Sequence, residues 1–403
     1  MGSALVRVVG GSGVYVVDGV RTPFGKFGRS LRGVPAVELG ALTAAEALRR
    51  AGLEPGDVEL VVYGHVIRGG TGMNTARQVA LKAGIPERVE ALTVDMVCAS
   101  GLFAACLAST LMEGGVTRIA LVGGMESMSS APFLLPPAVR WGVKFVYGAG
   151  IVAPDSMVAD GLRDPVSGDV MGVEADEAAR EAGASREDLD VIGLVSHLRA
   201  AKAWRDGVIG RFVVPVEVGG KVLLEADEGV RPDTSLEKLR RLKPAFGPNG
   251  LHTAGTSSQL SDGAASLVLA SGGAVEELGL RARARLVGWS AVGCNPKRFC
   301  LAPAKAVKLL LKALGWGVGD VDYWENHQAF AVSDYVFMKE LGVSMRRLNL
   351  HGGAIAVGHP LGASGARALL EAINVLETRG WVRAVVSVCH GLGGAVAAAL
   401  KLT

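Results

Sequence analysis

The chain has 403 residues, of which 49% are hydrophobic and 20% charged, and it contains 56 glycines. This composition is typical of an α/β enzyme with one or more hydrophobic cores and excludes a disordered or fibrous protein. The net charge of +3 is spread along the sequence and does not indicate a nucleic-acid partner. The first eleven residues lack the continuous apolar segment of a signal peptide, and the other apolar runs are too short to span a membrane. We therefore expect a cytoplasmic protein without membrane insertion.

The cysteines argue for free thiols rather than for disulfides or a metal site. They are odd in number, widely spaced and lack a C-x-x-C pair, which excludes a disulfide framework and a zinc site of the usual spacing. The five are Cys98, Cys106, Cys294, Cys300 and Cys389.

In chain order, short β-branched runs alternate with segments of helical periodicity. The sequences VYVVD (14–18), ELVVYG (59–64) and IALVGG (119–124) predict strands, and residues 35–51 and 101–114 predict helices. This alternation is typical of βαβ units and predicts a mostly parallel sheet with right-handed crossovers.

An internal repeat relates the two ends of the chain. The sequence GDV at 56–58 recurs at 319–321, ASG at 99–101 recurs at 363–365, and the strand RIALVGGM (118–125) corresponds to RAVVSVCH (383–390). Gly-Asp-Val turns are common in α/β proteins, but three matches in the same order at offsets of 263, 264 and 265 residues indicate a duplicated architecture.

The first half of the repeat contains a long insertion. The segment that matches the end of the second half, LSDGAASLVLAS (260–271), arrives about 130 residues late. The intervening sequence is rich in proline and aromatic residues at 131–148 and predicts charged helices over 172–207. We therefore predict an N-terminal half over 1–125, completed by 252–280, an inserted loop domain over 126–251 that lies over the core, and a C-terminal half over 281–403.

Three residues of the repeat are candidates for catalysis. Cys98 is predicted between a strand and the first turn of a helix, where backbone N–H groups and the helix dipole favour a thiolate and can hold an oxyanion. A cysteine among small residues is more often a packing residue. However, His359 lies in a glycine-rich turn before the equivalent helix, and Cys389 lies at another strand end. If the halves pack about a pseudo-twofold axis, all three side chains meet.

Taken together, these and other segments resemble the thiolase family, the acyl-CoA C-acyltransferase branch of the thiolase superfamily. The resemblance covers nearly the whole chain and implies an α/β fold of two duplicated βαβ halves in five αβαβα layers, with an inserted loop domain. The segments that carry it are VRTPFGKFGRSL (20–31), NTARQVALKAGIP (74–86), VCASG (97–101), GGMESMSSAP (123–132), LKPAFGPNGLHTAGTSSQLSDGAA (242–265), GGAIAVGHPLGASGAR (352–367) and CHGLGG (389–394).

The resemblance implies a role for each candidate residue. His359 accepts the proton of Cys98, whose thiolate attacks a thioester carbonyl and forms an acyl-enzyme. Cys389 acts as general acid and base on the α-carbon of acetyl-CoA. The backbone amides of Cys98 and Gly391 stabilise the acyl intermediate, while the His359 side chain and an ordered water stabilise the enolate.

The resemblance also implies the ligands and the assembly. Ser258 matches the serine that touches the pantetheine arm of coenzyme A, so coenzyme A and acyl-CoA are expected as substrates, without a permanently bound cofactor or a metal. We expect a homodimer or homotetramer that pairs through an edge strand near 94–97, and a partner enzyme from an acyl-CoA pathway.

The sequence departs from the family pattern at three places. His327 stands where many thiolases have the asparagine that orients the water of the enolate site, and Gln328 replaces a glutamate. Thr256 replaces a common asparagine, and the loop 294–307 replaces the methionine-glycine loop that shapes short-chain acyl pockets.

Two other functions remain open from the sequence. A 3-ketoacyl synthase shares the duplicated fold, but it uses a Cys-His-His or Cys-His-Asn set, and Cys389 argues against that set. A non-catalytic acyl-CoA-binding scaffold would not need Cys98, His359 and Cys389 together. Cys106, Cys294 and Cys300 match no motif and are interpreted as packing residues.

Overall fold

The computed structural model describes residues 4–142 and 150–403, so part of the proline-rich and aromatic stretch at 131–148 lies outside the described residues. The strands are β1 (Ala4–Val8), β2 (Val14–Arg21), β3 (Gly25–Lys26), β4 (Leu60–Gly64), β5 (Glu90–Val94), β6 (Ile119–Ser127), β7 (Val216–Val218), β8 (Lys221–Leu224), β9 (Ser261–Ser271), β10 (Ala284–Gly293), β11 (Tyr323–Asn326), β12 (Arg383–His390) and β13 (Gly394–Leu402). The helices are α1 (Ala36–Ala51), α2 (Thr75–Lys82), α3 (Ser100–Glu113), α4 (Met171–Ala182), α5 (Arg186–Arg205), α6 (Leu236–Arg240), α7 (Gly272–Glu277), α8 (Ala302–Leu314), α9 (Ala331–Leu341), α10 (Ala354–Val357) and α11 (Leu361–Arg379). The strands and helices predicted in the N-terminal half are thus confirmed within one or two residues at most ends.

The large sheet connects the two halves. Its order is β11-β12-β13-β10-β2-β9-β6-β4-β5, with β1 paired to β10 and β3 to β9. The prediction of a mostly parallel sheet is wrong: β4–β5, β4–β6 and β11–β12 are parallel, and the remaining pairs are antiparallel. The reason is that β13 turns straight back from β12, and β9 enters beside β6 from the opposite direction after the insertion.

The helices form three layers, and the two halves of the sheet form the two layers between them. Helices α3 and α11 pack against each other in the middle; α3 contacts β4, β6 and β13, and α11 contacts β6, β9, β11 and β12. Helices α1 and α2 cover the outer side of the N-terminal strands, and α8 and α9 cover the outer side of the C-terminal strands. The five-layer duplicated α/β fold is therefore confirmed.

Backbone meets backbone where the halves join. A Cβ atom on Gly124 would overlap the carbonyl oxygen of Gly362, and Cβ atoms on Gly101 and Gly64 would lie 2.6 and 2.8 Å from the same oxygen. A Cβ atom on Gly365 would overlap the backbone nitrogen of Leu102. We call this set Gly64, Gly101, Gly124, Gly362 and Gly365 the glycine contact. Only glycine allows so close an approach, which brings the start of α3 against the start of α11.

The insert between β6 and β9 contains the predicted charged helices, α4 and α5. Helix α5 begins with a capping box in which the Ser185 hydroxyl accepts from the backbone N–H of Asp188. A buried ion pair fixes the insert to the core: both terminal nitrogens of Arg21 donate to Asp227 at 2.7 Å. The domain boundaries themselves remain a prediction. Within the described ranges, no helix is both long enough and apolar enough to cross a membrane.

Candidate active site

The turn that carries Cys98 is held in a strained conformation. Strand β5 ends at Val94 and α3 begins at Ser100, so Cys98 lies in the intervening turn rather than at the strand end itself. Val97 has a φ of 48°, which is costly for a β-branched residue. Two side chains hold the turn: Asp95 accepts from the Val97 N–H at 3.0 Å, and Ser100 donates to the Val97 carbonyl at 2.7 Å. The Ser100 oxygen also accepts from the N–H of Met96 at 2.8 Å.

The turn that carries His359 is fixed from three sides. Its backbone N–H donates to the carbonyl of Gln259 at 3.0 Å and to the hydroxyl of Ser261 at 3.1 Å. The Ser364 hydroxyl donates to the Pro360 carbonyl at 2.8 Å, so its oxygen accepts from Nδ1 of His359 at 2.6 Å. With the proton on Nδ1, the Nε2 atom of His359 is a free acceptor, and it has no hydrogen-bond partner among the described residues.

Cys389 and Gly391 lie at the end of β12 and in the turn between β12 and β13. Cys389 is the penultimate residue of β12 and is buried. The backbone N–H groups of Gly391 and Cys98 act to lower the pKa of the Cys98 thiol, and Cys98 in turn raises the pKa of the Cys389 thiol, after the larger effect of burial in each case. Cys98, Cys389 and Gly391 therefore lie in one neighbourhood, and their catalytic roles stay a prediction.

Cys98 and His359 line one cavity of about 480 Å³, which we call the Cys98 cavity. Three of the four phenyl rings in its wall pack together, with ring centroids of Phe246 and Phe299 at 5.9 and 6.1 Å from that of Phe330. Phe299 belongs to the loop at 294–307 that departs from the family pattern. The other lining residues are Lys26, Phe27, Met128, Val158, Gly161, Leu162, Val170, Met171, Arg231, Ala245, Ala254, Ser257, Ser258, Gln259, Leu260, Ala329 and Leu361.

Burial sets the resting protonation state of the site. Burial, with smaller contributions from Glu126 and Asp95, raises the pKa of the Cys98 thiol to about 12, although the amide contacts act in the opposite direction. Burial, and then the charge of Arg367, lower the pKa of His359 to about 3. Burial also raises the pKa of Cys389 well above its ordinary range, with Cys98 as the next cause. Burial therefore opposes the thiolate that the position of Cys98 favours, and the resting site holds two thiols and a neutral imidazole.

His327 and Gln328 occupy positions that the sequence alone did not explain. His327 does not line the Cys98 cavity; it is fully buried behind His359, with its Nε2 atom 3.0 Å from Nδ1 of His359. Gln328 faces away from the cavity and accepts from Ser196 at 2.7 Å while donating to Asp334 at 2.6 Å. An amide satisfies both neighbours, whereas a glutamate there would face the Asp334 carboxylate. The substitution therefore matches the packing of α5 and α9.

Ser258 lines the Cys98 cavity, and two cations beside it were missed from the sequence. Lys26 and Arg231 line the same cavity, and partial burial, followed by the charges of Arg231 and Arg29, lowers the pKa of Lys26. Lys26 lies within a segment that carries the family resemblance, but nothing in its local pattern marks it as a residue of the cavity wall. In residues 4–142 and 150–403, no group of three or more His, Cys, Asp or Glu side chains is arranged to hold a metal ion.

Comparisons with known proteins agree with this arrangement. The family model for the thiolase N-terminal domain matches residues 14–273, and the model for the thiolase C-terminal domain matches residues 280–402. An acetyl-CoA acetyltransferase from Synechocystis sp. is 41% identical over 391 residues, which cover 96% of this chain and 99% of that protein.

Two solved structures are similar over nearly their whole length. The acetyl-CoA acetyltransferase of Bacillus anthracis is 36% identical, with a TM-score of 0.93 over 97% of this chain and 99% of that chain. The Acat5 thiolase from Ascaris suum, solved in complex with coenzyme A, is 35% identical, with a TM-score of 0.91 over 97% of this chain and all of that one.

Proposed function

The chain belongs to the thiolase family of acyltransferases, and from that premise we propose that it catalyses thiolysis of 3-ketoacyl-CoA and the reverse Claisen condensation of acetyl-CoA. The observation that carries this proposal is the convergence of Cys98, His359 and Cys389: two of them line one apolar cavity, and the third lies beside the Cys98 thiol. Acyl transfer through a thioester and carbanion formation at an α-carbon need a nucleophile, its base and a second proton carrier.

In the first half-reaction, Nε2 of His359 takes the proton of Cys98 as the sulfur attacks the thioester carbonyl of an acyl-CoA. The tetrahedral oxyanion is stabilised by the N–H groups of Cys98 and Gly391. When the carbon–sulfur bond to coenzyme A breaks, the leaving thiolate takes the proton from His359. The product is an acyl group on Cys98 and free coenzyme A.

In the second half-reaction, the Cys389 thiol first gives its proton to the neutral His359, and the Cys389 thiolate then removes a proton from the methyl group of acetyl-CoA. The resulting carbanion attacks the acyl carbon on Cys98, the bond to Cys98 breaks, and the departing Cys98 thiolate takes the proton from His359, which restores two thiols and a neutral imidazole. Thiolysis follows the same steps in reverse. His359 also lies where it can donate to the enolate oxygen when it is protonated, and His327 would orient its ring through Nδ1.

Coenzyme A and acyl-CoA are the proposed substrates, with no permanently bound cofactor. Ser258 would contact the pantetheine arm, and the positive charges of Lys26 and Arg231 at the same cavity suit the phosphate groups of coenzyme A. Replacing Arg231 with Gln should raise the KM for free CoA about tenfold while leaving kcat nearly unchanged.

The alternatives from the sequence gain no support. The similar proteins named above are acetyl-CoA acetyltransferases and a thiolase. The free Nε2 atom of His359 at the cavity is what a catalytic base requires and is not needed in a passive scaffold.

Thiolysis of acetoacetyl-CoA by free CoA, followed at the absorbance of the enolate, tests the proposal directly. We expect turnover in the range of about 1–10³ per second that is usual for enzymes. A folded protein that binds acetoacetyl-CoA without cleaving it would contradict the proposal and favour the scaffold. Comparing acetoacetyl-CoA with longer 3-ketoacyl-CoA substrates then gives the chain-length preference.

The assembly, location and pathway are further parts of the proposal. Strand β5 is at the end of the sheet order and leaves Leu92 43% exposed, so pairing of β5 with a second copy would cover that edge and brace the Cys98 turn. Light scattering should show a dimer or tetramer, and a monomer at assay concentration would refute the pairing.

Five free cysteines agree with a reducing, cytoplasmic location. Its partners would be enzymes that supply or consume acyl-CoA, as in fatty acid metabolism.

A further inference from the structure

Glu126 is a buried carboxylate that contacts both halves of the molecule. It lies near the end of β6 and is fully buried. Its Oε1 atom accepts from the N–H of Ile67 at 3.0 Å, and its Oε2 atom accepts from the N–H of Val66 at 3.3 Å and from the N–H of Gly362 at 3.0 Å. Three backbone donors on one carboxylate form a strong, directional arrangement.

The three donors come from different parts of the fold. Val66 and Ile67 follow β4 in the N-terminal half, whereas Gly362 lies in the first turn of α11 in the C-terminal half, three residues after His359. The contact of a carboxylate with the start of α11 also complements the helix dipole. Glu126 therefore ties the turn that carries His359 to the N-terminal half.

The surroundings of Glu126 keep its contact with the N–H of Gly362 short and rigid. Gly362 belongs to the glycine contact, so no side chain separates the two backbones there. On the other side, Nε2 of His65 lies 3.3 Å from Oε1 of Glu126, and Nδ1 of His65 lies 3.1 Å from the hydroxyl of Thr75. Glu126 is also close enough to Cys98 for its charge to oppose formation of the thiolate.

We propose that Glu126 is a positioning residue of the acyl-transfer reaction, whose carboxylate sets the turn of His359 against the turn of Cys98. This inference rests on the proposed function of Cys98 and His359. Glu126 itself does not touch the reacting atoms. It acts through the Gly362 N–H on the backbone that carries His359, and a misplacement of that backbone by about 1 Å is enough to cost about 10²-fold in rate.

Three variants separate the geometry from the charge. Glu126→Gln removes the charge and puts an NH2 group against backbone donors; Glu126→Asp keeps the charge but is one methylene too short to reach both halves. Asp190→Asn is the matched control, because Asp190 is a buried carboxylate on α5 whose partner is Arg186. For each protein, kcat and KM are measured for acetoacetyl-CoA thiolysis, and the rate of iodoacetamide alkylation of Cys98 is measured by mass spectrometry between pH 6 and 10.

We expect both Glu126 variants to lose about 10–100-fold in kcat with KM within about threefold, since positioning affects the reaction more than binding. The alkylation profile of Glu126→Gln should move to lower pH, because one of the two carboxylates near Cys98 is gone and only Asp95 remains. The profile of Glu126→Asp should stay in place. Asp190→Asn should change neither kcat nor the profile, although its unfolding temperature should fall.

A Glu126→Gln protein that is folded and keeps kcat within twofold, or that keeps the parent alkylation profile, would overturn the proposal and leave a structural role only. If Glu126→Gln does not fold, Glu126→Asp decides through kcat alone. If neither folds, His65→Ala tests the proposal. It should lose about three- to tenfold in kcat, because Oε1 of Glu126 then lacks its contact with Nε2 of His65. An unchanged kcat would overturn the proposal. A parent protein without thiolysis activity would instead count against the proposed function, while the alkylation profiles would still report whether Glu126 acts on Cys98.

Discussion

The same repeated segment is a strained turn in one half of the molecule and a helix in the other. At the repeat offset of 264 residues, Val97 corresponds to Leu361 and Ser100 to Ser364. Helix α11 begins at Leu361, but α3 begins only at Ser100, because Val97 adopts a φ of 48° and the first helical turn does not form. In the N-terminal half, the turn at Val97 therefore leaves the thiol and the amide of Cys98 outside the helix. In the C-terminal half, His359 lies two residues before the start of α11. One duplicated segment thus provides a nucleophile and a base through different local folding.

The two equivalent serines show how the difference is maintained. Ser100 uses its hydroxyl on the backbone of its own turn, accepting from Met96 and donating to the Val97 carbonyl. Ser364 also donates to a backbone carbonyl, that of Pro360, but its oxygen accepts from the ring of His359. The first serine shapes a backbone, and the second orients a side chain.

Removing the nucleophile from the Cys98 turn should have the largest effect. We expect Cys98→Ala to lose at least about 10³-fold in acyl transfer and to form no acyl-enzyme, because no other group replaces the attacking sulfur. The measurement is acid quenching after incubation with an acyl-CoA, followed by peptide mass mapping. Cys106→Ala is the control: it removes a buried thiol from α3 and should keep activity. An acyl label on Cys389 of the parent protein would contradict the assignment of Cys98 as the nucleophile.

Cys389→Ser tests whether the two turns are sufficient for acylation. Cys98, His359 and the amide contacts remain, so acylation should persist, whereas condensation should fall about 10²–10⁴-fold because a serine hydroxyl is a much poorer base. The two steps are measured by acyl transfer to free CoA and by exchange of the methyl protons of acetyl-CoA in deuterated buffer. Cys300→Ser, a buried thiol in the same apolar cluster, is the control that should retain both. If Cys389→Ser loses acylation but keeps methyl exchange, Cys389 is not the base and His327 becomes the residue to test.

Alanine at the two serines should give different losses if their roles differ. Ser364→Ala should slow acylation about tenfold, since Nδ1 of His359 then keeps only the contact with His327. Ser100→Ala should lower the free energy of unfolding by about 1–3 kcal/mol, because the N–H of Met96 loses its acceptor and the strained turn relaxes. For both variants, burst kinetics measure the rate of acylation and urea denaturation measures the free energy of unfolding. Equal changes in rate and stability for the two serines would mean that the comparison between the turns is wrong.

The two turns should also respond to pH in opposite directions. The pKa of His359 is lowered from 6.5 to about 3 in the folded state, so the unfolded state binds more protons in that range and stability is lost as the pH falls below 6.5. The pKa of Cys98 is raised from 9.0 to about 12, so stability is lost as the pH rises above 9. In a plot of the free energy of unfolding against pH, His359→Gln should reduce the slope on the acid side and Cys98→Ala the slope on the alkaline side. Each reduction should be at most about 1.4 kcal/mol per pH unit. Urea denaturation across the pH range checks this, and a variant that flattens the wrong side would refute the assignment.

The sequence predicts the duplicated fold because the repeat offsets can be read directly from it, and the repeat indicates Cys98, His359 and Cys389 as candidate site residues. It does not predict the role of Glu126, since the contact with Gly362 joins residues 236 apart and depends on the glycine contact. It also misses the orientation of Gln328, whose partners Ser196 and Asp334 lie on separate helices. The mixed sheet was missed because strand direction depends on where the chain re-enters after the insertion.

The glycine contact has a consequence for how a large substrate enters. Since the backbones of the two halves touch at the glycine contact without side chains between them, we expect little hinge motion between the halves at the Cys98 cavity. The cavity wall contributed by the insert, which includes Val158, Leu162 and Met171, lies outside that contact. We therefore expect the breathing motion that admits and releases substrate to belong to the insert, while the thiols and the imidazole keep a fixed spacing throughout the catalytic cycle.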